Sequence, residues 1–319
     1  MSVFKEPLPW IKQSIDSILN QTYQDFEFII VDDNPDDSNL LATLHEYAKK
    51  DARIQIIENS ENIGLTKSLN KALRVAKGTY IARMDADDIS EIERFSIQAE
   101  YLDVHKEVSL CHTNYYSFGE YEGQKELYYS GEVKEFQNLL VWTNPIAHPT
   151  VMFRSELLNL RTPFYDEHYR SAQDYELWTF LTLKGVQFAY INQPLLRYRI
   201  SNTQITRNKT SNQSGNSIGI RRNYIFKRLC QLGVIDKDDI SVKDAYKALK
   251  RREDLVIDKV ELKYILYLFY YHLTNNLGIY QLKYFMDHNR LFGFFGYHEN
   301  IHVLFHPFFK NRWRRENLY

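Results

Sequence analysis

The feature that most narrows the possible folds is a regular switch between two hydrophobic periods through the first hundred residues. Ile11, Ile15, Ile18 and Leu19 recur at helical spacing, with Pro7 and Pro9 suited to a helix entrance. Phe26-Glu27-Phe28-Ile29-Ile30-Val31 then reads as a buried strand that runs into Asp32-Asp33. Leu40, Leu41, Leu44, Tyr47 and Ala48 mark a second helix, and Ile54-Gln55-Ile56-Ile57 a short strand. Leu65, Leu69, Ala72, Leu73 and Ala76 mark a third helix, closed by Gly78. Thr79 to Met84 is a strand that enters Asp85, and Ile92, Phe95, Ala99 and Leu102 are spaced for a helix. Strand and helix in alternation imply an α/β fold with a mostly parallel sheet and helices on both faces. In such sheets ligands sit beyond the carboxyl ends of the strands, where both acidic clusters fall.

Asp85-Ala86-Asp87 therefore gains meaning from its position. Two carboxylates on one loop suit a hard divalent cation such as Mn²⁺ or Mg²⁺, which would leave coordination positions for a diphosphate. The plainer alternative is a solvated acidic turn or helix cap. Asp32-Asp33 can accept from a base N–H or a ribose hydroxyl, or serve only the turn Asp33-Asn34-Pro35-Asp36. A helix is expected near Asp174 to Leu183. Asp174, at its start, is either a cap or a general base for an acceptor hydroxyl. His148 can face an acceptor or be structural. Tyr115, Tyr116, Trp142 and Trp178 can stack on a sugar or fill a core.

Composition limits the partners. The net charge of −1 lacks the basic excess of a general nucleic-acid binder. The chain of 319 residues is rich in Tyr (24) and Phe (19), side chains that bury large areas while Tyr keeps a polar tip. Cys111 and Cys230 are too few for a disulfide framework or a metal cluster and are expected as free thiols in a reducing cytoplasm. No basic segment followed by an apolar one marks a secretory signal at the N-terminus. The uncharged stretch from Tyr264 to Leu282 is interrupted by His272, Thr274, Asn275, Asn276 and Gln281, so a membrane span is not expected. Residues from about 201 to 216 turn polar and read as a flexible loop or a domain boundary. The domain division is accordingly residues 1–210 and a helical region 211–319, in which Phe305, Phe308, Phe309 and Trp313 lie among Lys310, Arg312, Arg314 and Arg315. That mixture suits either a docked helix or peripheral contact with a membrane.

Taken together, the segments Ser14 to Tyr23, Phe26 to Asp33, Asn62-Ile63-Gly64 with Leu69-Asn70, Gly78 to Asp88, and Ala172 to Trp178 resemble family 2 glycosyltransferases, inverting enzymes with a GT-A fold. The resemblance spans roughly residues 1–205 in the family's order and spacing. It implies a nucleotide-diphosphate sugar donor, by family habit UDP-linked, and a glycan or lipid-diphosphate-linked saccharide acceptor, as in bacterial surface-polysaccharide assembly. It places Phe4, Glu6, Asp32, Asp33, Lys67, Asp85 and Ala86 along the donor nucleotide, with the base on Asp33. It makes Asp87 the firmer metal ligand beside Asp85, and Asp174 the catalytic base. His148, Trp142 and Trp178 are the acceptor-side candidates. The implied location is the cytoplasm, at the inner face of the plasma membrane if the C-terminal region binds it.

Three departures qualify this pattern. Met1 to Glu6 supplies only the end of the family's first strand, which would leave one side of the nucleotide pocket incomplete and neighbouring strand edges exposed. Leu69 stands where an arginine is frequent, with Lys67 as its stand-in, and Ser201 stands where many members carry a histidine. The truncated strand keeps open a non-catalytic binding or scaffolding domain. A nucleotidyltransferase would want a Gly-rich basic phosphate loop near the N-terminus, and none is visible.

Overall fold

The computed structural model describes residues 1–120, 123–125, 140, 144–201, 211–231, 233 and 235–236. Contacts divide the chain into one compact unit, Met1–Asp238, and a second, Asp239–Tyr319, which lies outside the described residues. The first unit thus runs past the expected boundary at residue 210.

The unit opens with a two-residue strand β1 (Ser2–Val3), followed by α1 (Leu8–Leu19), β2 (Phe28–Asp32), α2 (Ser38–Lys50), β3 (Ile54–Glu58) and α3 (Leu65–Leu73). Pro7 caps α1 and Pro9 lies in its first turn, where the missing N–H costs nothing. Ile11, Ile15 and Ile18 are essentially inaccessible to solvent, each contributing about 1.5–3 kcal/mol of burial. β1, β2 and β3 pair in parallel, with Val3 opposite Asp32 and Asp32 opposite Glu58. The chain then continues through β4 (Tyr80–Ala82), β5 (Ile89–Ser90), α4 (Arg94–Val104), β6 (Leu110–Gly119), β7 (Gly123–Lys125), β8 (Met152–Arg154), α5 (Gln173–Leu183), β9 (Phe188–Ile200) and α6 (Ser211–Gln231).

The α/β expectation holds, and its wholly parallel part is the β1–β3 sheet. The second sheet, in the order β4-β8-β6-β9-β5, is mixed: β6 and β9 run parallel, while β4·β8, β6·β8 and β5·β9 are antiparallel. Alternation could not foretell this, because β8 lies some 70 residues after β4 and reaches it through long-range pairing. Val3, Ile15 and Ile30 join Met84, Leu102, Met152 and Leu196 in one core, so the two sheets share a hydrophobic interior.

Three local expectations need correction. The third helix ends at Leu73, with Arg74 as its cap, so Gly78 is not the stop. Ile92 lies before α4 and is 55% exposed, whereas Phe95, Ala99 and Leu102 form the buried face. The polar stretch read as a loop or boundary ends sooner than expected, since residues 211–216 already belong to α6, at the start of the expected helical region. Burial of Ile220, Tyr224, Ile225, Phe226 and Leu229 outweighs the weak propensity of its first turns. The Asn216 amide donates to the Ser171 carbonyl at 3.2 Å. No helix among the described residues is long and apolar enough to cross a membrane. The stretch Tyr264–Leu282 and the basic aromatic segment 305–315 fall outside the described residues.

Candidate active site

The acidic loop is built where β4 leaves the sheet. Ser14 of α1 donates its hydroxyl to the Asp85 carbonyl at 2.9 Å. Gln21, just past α1, is fully buried; it donates to the Glu91 carbonyl at 2.8 Å and accepts the Phe95 N–H at 3.0 Å. The polar residues of the opening helix motif therefore hold both flanks of the loop. From the opposite side, Arg199 at the end of β9 donates its backbone N–H to Asp88 Oδ1 (2.8 Å), Nε to the Asp87 carbonyl (2.7 Å) and a guanidinium N–H to Gln13 Oε1 (2.6 Å). Its guanidinium lies 4.6 Å from the Trp10 ring centroid and 4.3 Å from that of Phe118.

One oxygen each from Asp85, Asp87 and Asp88 can be chosen so that all lie within 4.8 Å of one another. Burial, and then the charges of Asp85 and Glu6, push Asp87 up to about 7. Asp88 is fully buried and raised by the same causes, burial first and then Asp85 and Asp87. Its Oδ2 is a buried acceptor without a hydrogen-bond partner. An all-oxygen set with an orphaned carboxylate oxygen fits Mg²⁺ or Mn²⁺. Asp88 enlarges the expected pair, and its place in the run Asp85-Ala86-Asp87-Asp88 was the available signal. Glu6 also belongs near this cluster; burial raises its carboxyl, which accepts the Phe4 N–H at 2.8 Å.

Asp32 ends β2 and Asp33 follows it, both 2% exposed. Asp32 accepts the Asn34 N–H at 3.0 Å, and burial raises its carboxyl. Asp33 is more heavily engaged. Its Oδ1 accepts from Asn59 Nδ2 (2.8 Å) and Ile63 N (2.9 Å), and its Oδ2 from Asn62 Nδ2 (2.9 Å) and Gly64 N (2.9 Å). A carboxylate offers about four acceptor positions, and these bonds take them all. The Asn62-Ile63-Gly64 motif is thus tied to the Asp32-Asp33 motif by direct contact, with Gly64 at φ 85°, which a side chain rarely adopts. Asn70, from the same motif, is buried and fixes the loop ahead of α5: it donates to the Tyr165 carbonyl (2.8 Å) and accepts the Tyr165 N–H (2.9 Å). Lys67 is exposed on α3.

Asp174 occupies the first turn of α5, which follows Ala172 in the left-handed region at φ 62°. It is half-buried, and burial raises its carboxyl; hydrogen bonds from the Tyr175 N–H and the Asn144 amide, and the charge of Arg83, oppose that rise. Arg83 is buried beside the acidic loop, ion-paired with Asp85, and its Nε has no hydrogen-bond partner. Neither Asn144 nor Arg83 stood out in the sequence; Arg83 precedes the acidic triplet as an ordinary strand residue would.

The acceptor-side expectations change. Trp178 is wholly buried, edge-on to His148 at 5.8 Å and to Phe188 at 6.3 Å, so it is core and cannot stack on a sugar. His148 is buried as well, bonded through Nε2 to the Tyr165 hydroxyl at 2.8 Å, and burial followed by the Arg83 charge holds it well below the usual imidazole range. It is a neutral wall residue. Tyr115 is buried against Tyr198, whereas Tyr116 is 42% exposed. Trp142 lies outside the described residues. Cys111 is a buried free thiol, and Cys230 is half-buried.

Comparison with known proteins agrees with this arrangement. The description "Glycosyl transferase family 2" matches residues 1–159. An uncharacterized glycosyltransferase of Methanocaldococcus jannaschii is 37% identical over 210 residues, covering 63% of this chain and 70% of that protein. The O-antigen biosynthesis glycosyltransferase WbnJ of Escherichia coli is 34% identical over 197 residues, covering 60% and 75% respectively. The crystal structure of S. aureus TarS 1-349 in complex with UDP-GlcNAc superposes with a TM-score of 0.61 at 14% identity, covering 95% of this chain and 76% of that one, a likeness of fold. The extent of these matches, over the same residues that build the acidic loop, shows that the chain belongs to glycosyl transferase family 2 and is a glycosyltransferase with a GT-A fold.

Proposed function

We propose that the chain transfers a sugar, with inversion, from a nucleoside-diphosphate donor to a hydroxyl of a glycan or lipid-linked saccharide acceptor. A UDP-sugar is the donor class this reading favours, supported by the UDP-GlcNAc complex of the structural neighbour, and surface-polysaccharide assembly is the setting suggested by WbnJ. The observation that carries the reading is the convergence on Arg83. One buried guanidinium pairs with Asp85 of the acidic loop and also acts on Asp174.

In this reading Asp85 and Asp87, with Asp88 behind them, would hold Mn²⁺ or Mg²⁺, which when bound neutralises charge on the leaving diphosphate. Asp174 accepts the proton of the acceptor hydroxyl. That oxygen bonds to the anomeric carbon as the bond from this carbon to the diphosphate oxygen breaks on the opposite face. The nucleoside diphosphate departs with the electron pair, and the configuration inverts. Phe4, Glu6, Asp32, Asp33 and Ala86 line the donor nucleotide, with Lys67 at its rim. For a base N–H to reach Asp33, it takes the place of the exposed Asn62 amide, the most readily replaced of the four donors. The C-terminal region is proposed to touch the membrane peripherally from the cytoplasmic side.

Incubation with UDP-, GDP- and dTDP-sugars and Mn²⁺ should give nucleotide release that rises with acceptor saccharides. No release across that panel would overturn the proposal. Absence of binding to anionic vesicles at low salt would remove the membrane contact.

A further inference from the structure

Asp174 is gripped from outside its own helix. The Asn144 side-chain amide donates to Asp174 Oδ2 at 2.6 Å, and the same amide's oxygen accepts the Ile146 N–H at 3.3 Å. These two bonds fix the amide's orientation, since an ionised carboxylate can only accept.

Asn144 is itself held rigidly. Pro145 follows it and restricts its backbone. Ile146, Pro149 and Thr150 are buried, and the Thr150 hydroxyl closes the turn on the Ala147 carbonyl at 2.7 Å. That turn feeds β8, which pairs with β4, the strand that enters the acidic loop. The Arg83 N–H bonds to the Val151 carbonyl at 3.0 Å, and Arg94 bridges the carbonyls of Arg83 (2.8 Å) and Val151 (3.2 Å). A continuous path of short bonds and strand pairing therefore connects Asn144 to the loop proposed to hold the donor diphosphate.

We propose that Asn144 is a positioning residue: it sets the rotamer of Asp174 and registers that base against the donor site through β8 and β4. This rests on the reading of Asp174 as the base. Without Asn144, a carboxylate in the first turn of a helix is free to choose among staggered rotamers, and loss of about 1 Å in placement is expensive for catalysis. Asn144 takes one of about four acceptor positions on the carboxylate, and the N–H groups of Tyr175 and Asp174 also act on it, which leaves a position for the acceptor hydroxyl.

The test compares full-length Asn144→Ala and the isosteric Asn144→Asp with the parent protein, using whichever nucleotide sugar the donor panel identifies. Both variants should lower kcat, by about 10- to 100-fold for Asn144→Ala, the range for one hydrogen bond to a charged group, and further for Asn144→Asp, which opposes two carboxylates. Donor KM should stay within about twofold. The groups acting on Asp174 are Arg83 after β4, Tyr165 ahead of α5, the N–H groups of Tyr175 and Asp174 itself, and Asn144. Removing Asn144 takes away a donor that favours the ionised form, so the acidic limb of the kcat profile should move to higher pH; a merely structural role would not move it. A parent-like kcat in both variants, or an equal loss with an unmoved limb, overturns the proposal. Asp174→Asn is assayed alongside: if it transfers sugar at the parent rate, the base reading itself fails. If it is inactive while both Asn144 variants are parent-like, only the role of Asn144 falls.

Discussion

Replacing Asp33 by Asn separates the two roles that one carboxylate can play. The substitution keeps the shape and replaces one oxygen by an NH₂ group that cannot accept. The less costly orientation puts that group at Oδ2, because the exposed Asn62 amide there can turn to water. The half-buried Gly64 N–H at 2.9 Å loses its acceptor, which costs about 1–2 kcal/mol, the lower part of the range for a buried donor. At Oδ1 the bonds from Asn59 Nδ2 and Ile63 N survive but lose charge assistance, about 0.5–1 kcal/mol each. The sum is a destabilisation of about 2–4 kcal/mol. Urea unfolding followed by tryptophan fluorescence, with the slope compared between proteins, measures it. A change under about 0.5 kcal/mol, with lost donor affinity, would refute the structural account and make Asp33 a ligand-binding group alone.

Further outcomes follow from the acidic loop. Arg199→Lys keeps charge but loses the planar fork that spans the Asp87 carbonyl and Gln13; metal-dependent donor affinity should fall about tenfold by titration calorimetry, and an unchanged affinity would remove Arg199 from the loop's support. Asp87 sits at about 7 in the fold, above the ordinary carboxylate range. Protons therefore favour the metal-free folded state, whose stability declines as pH rises from about 4 to about 7 and then levels off. Cation binding must release that proton, so the rise in melting temperature given by Mn²⁺ should be larger at pH 8 than at pH 6; equal rises at both would contradict the assignment. Asp87→Ala should weaken metal-dependent donor binding, which the same calorimetry reads.

Local periodicity made the first half of the fold legible. Ile11, Ile15 and Ile18, and Phe28, Ile30 and Val31, bury themselves as their spacing implies. The second sheet was not legible, since β4·β8 and β6·β9 depend on pairings between residues far apart in sequence. In the site, the acidic residues were visible because their chemistry is specific and they end strands. Their supports were not: Asn144, Arg83 and Arg199 act through geometry that no local pattern encodes. Trp178 misled because an aromatic side chain reads alike whether it faces a sugar or a core, and only burial decides.

The most direct measurement is nucleoside-diphosphate release from a reactive donor, with saturating acceptor and Mn²⁺, by the parent protein and by Asp174→Asn. The account predicts acceptor-dependent release by the parent, and loss of at least about 100-fold in the variant, the low end of what a general base contributes, with donor binding retained. Release by Asp174→Asn at the parent rate would contradict it.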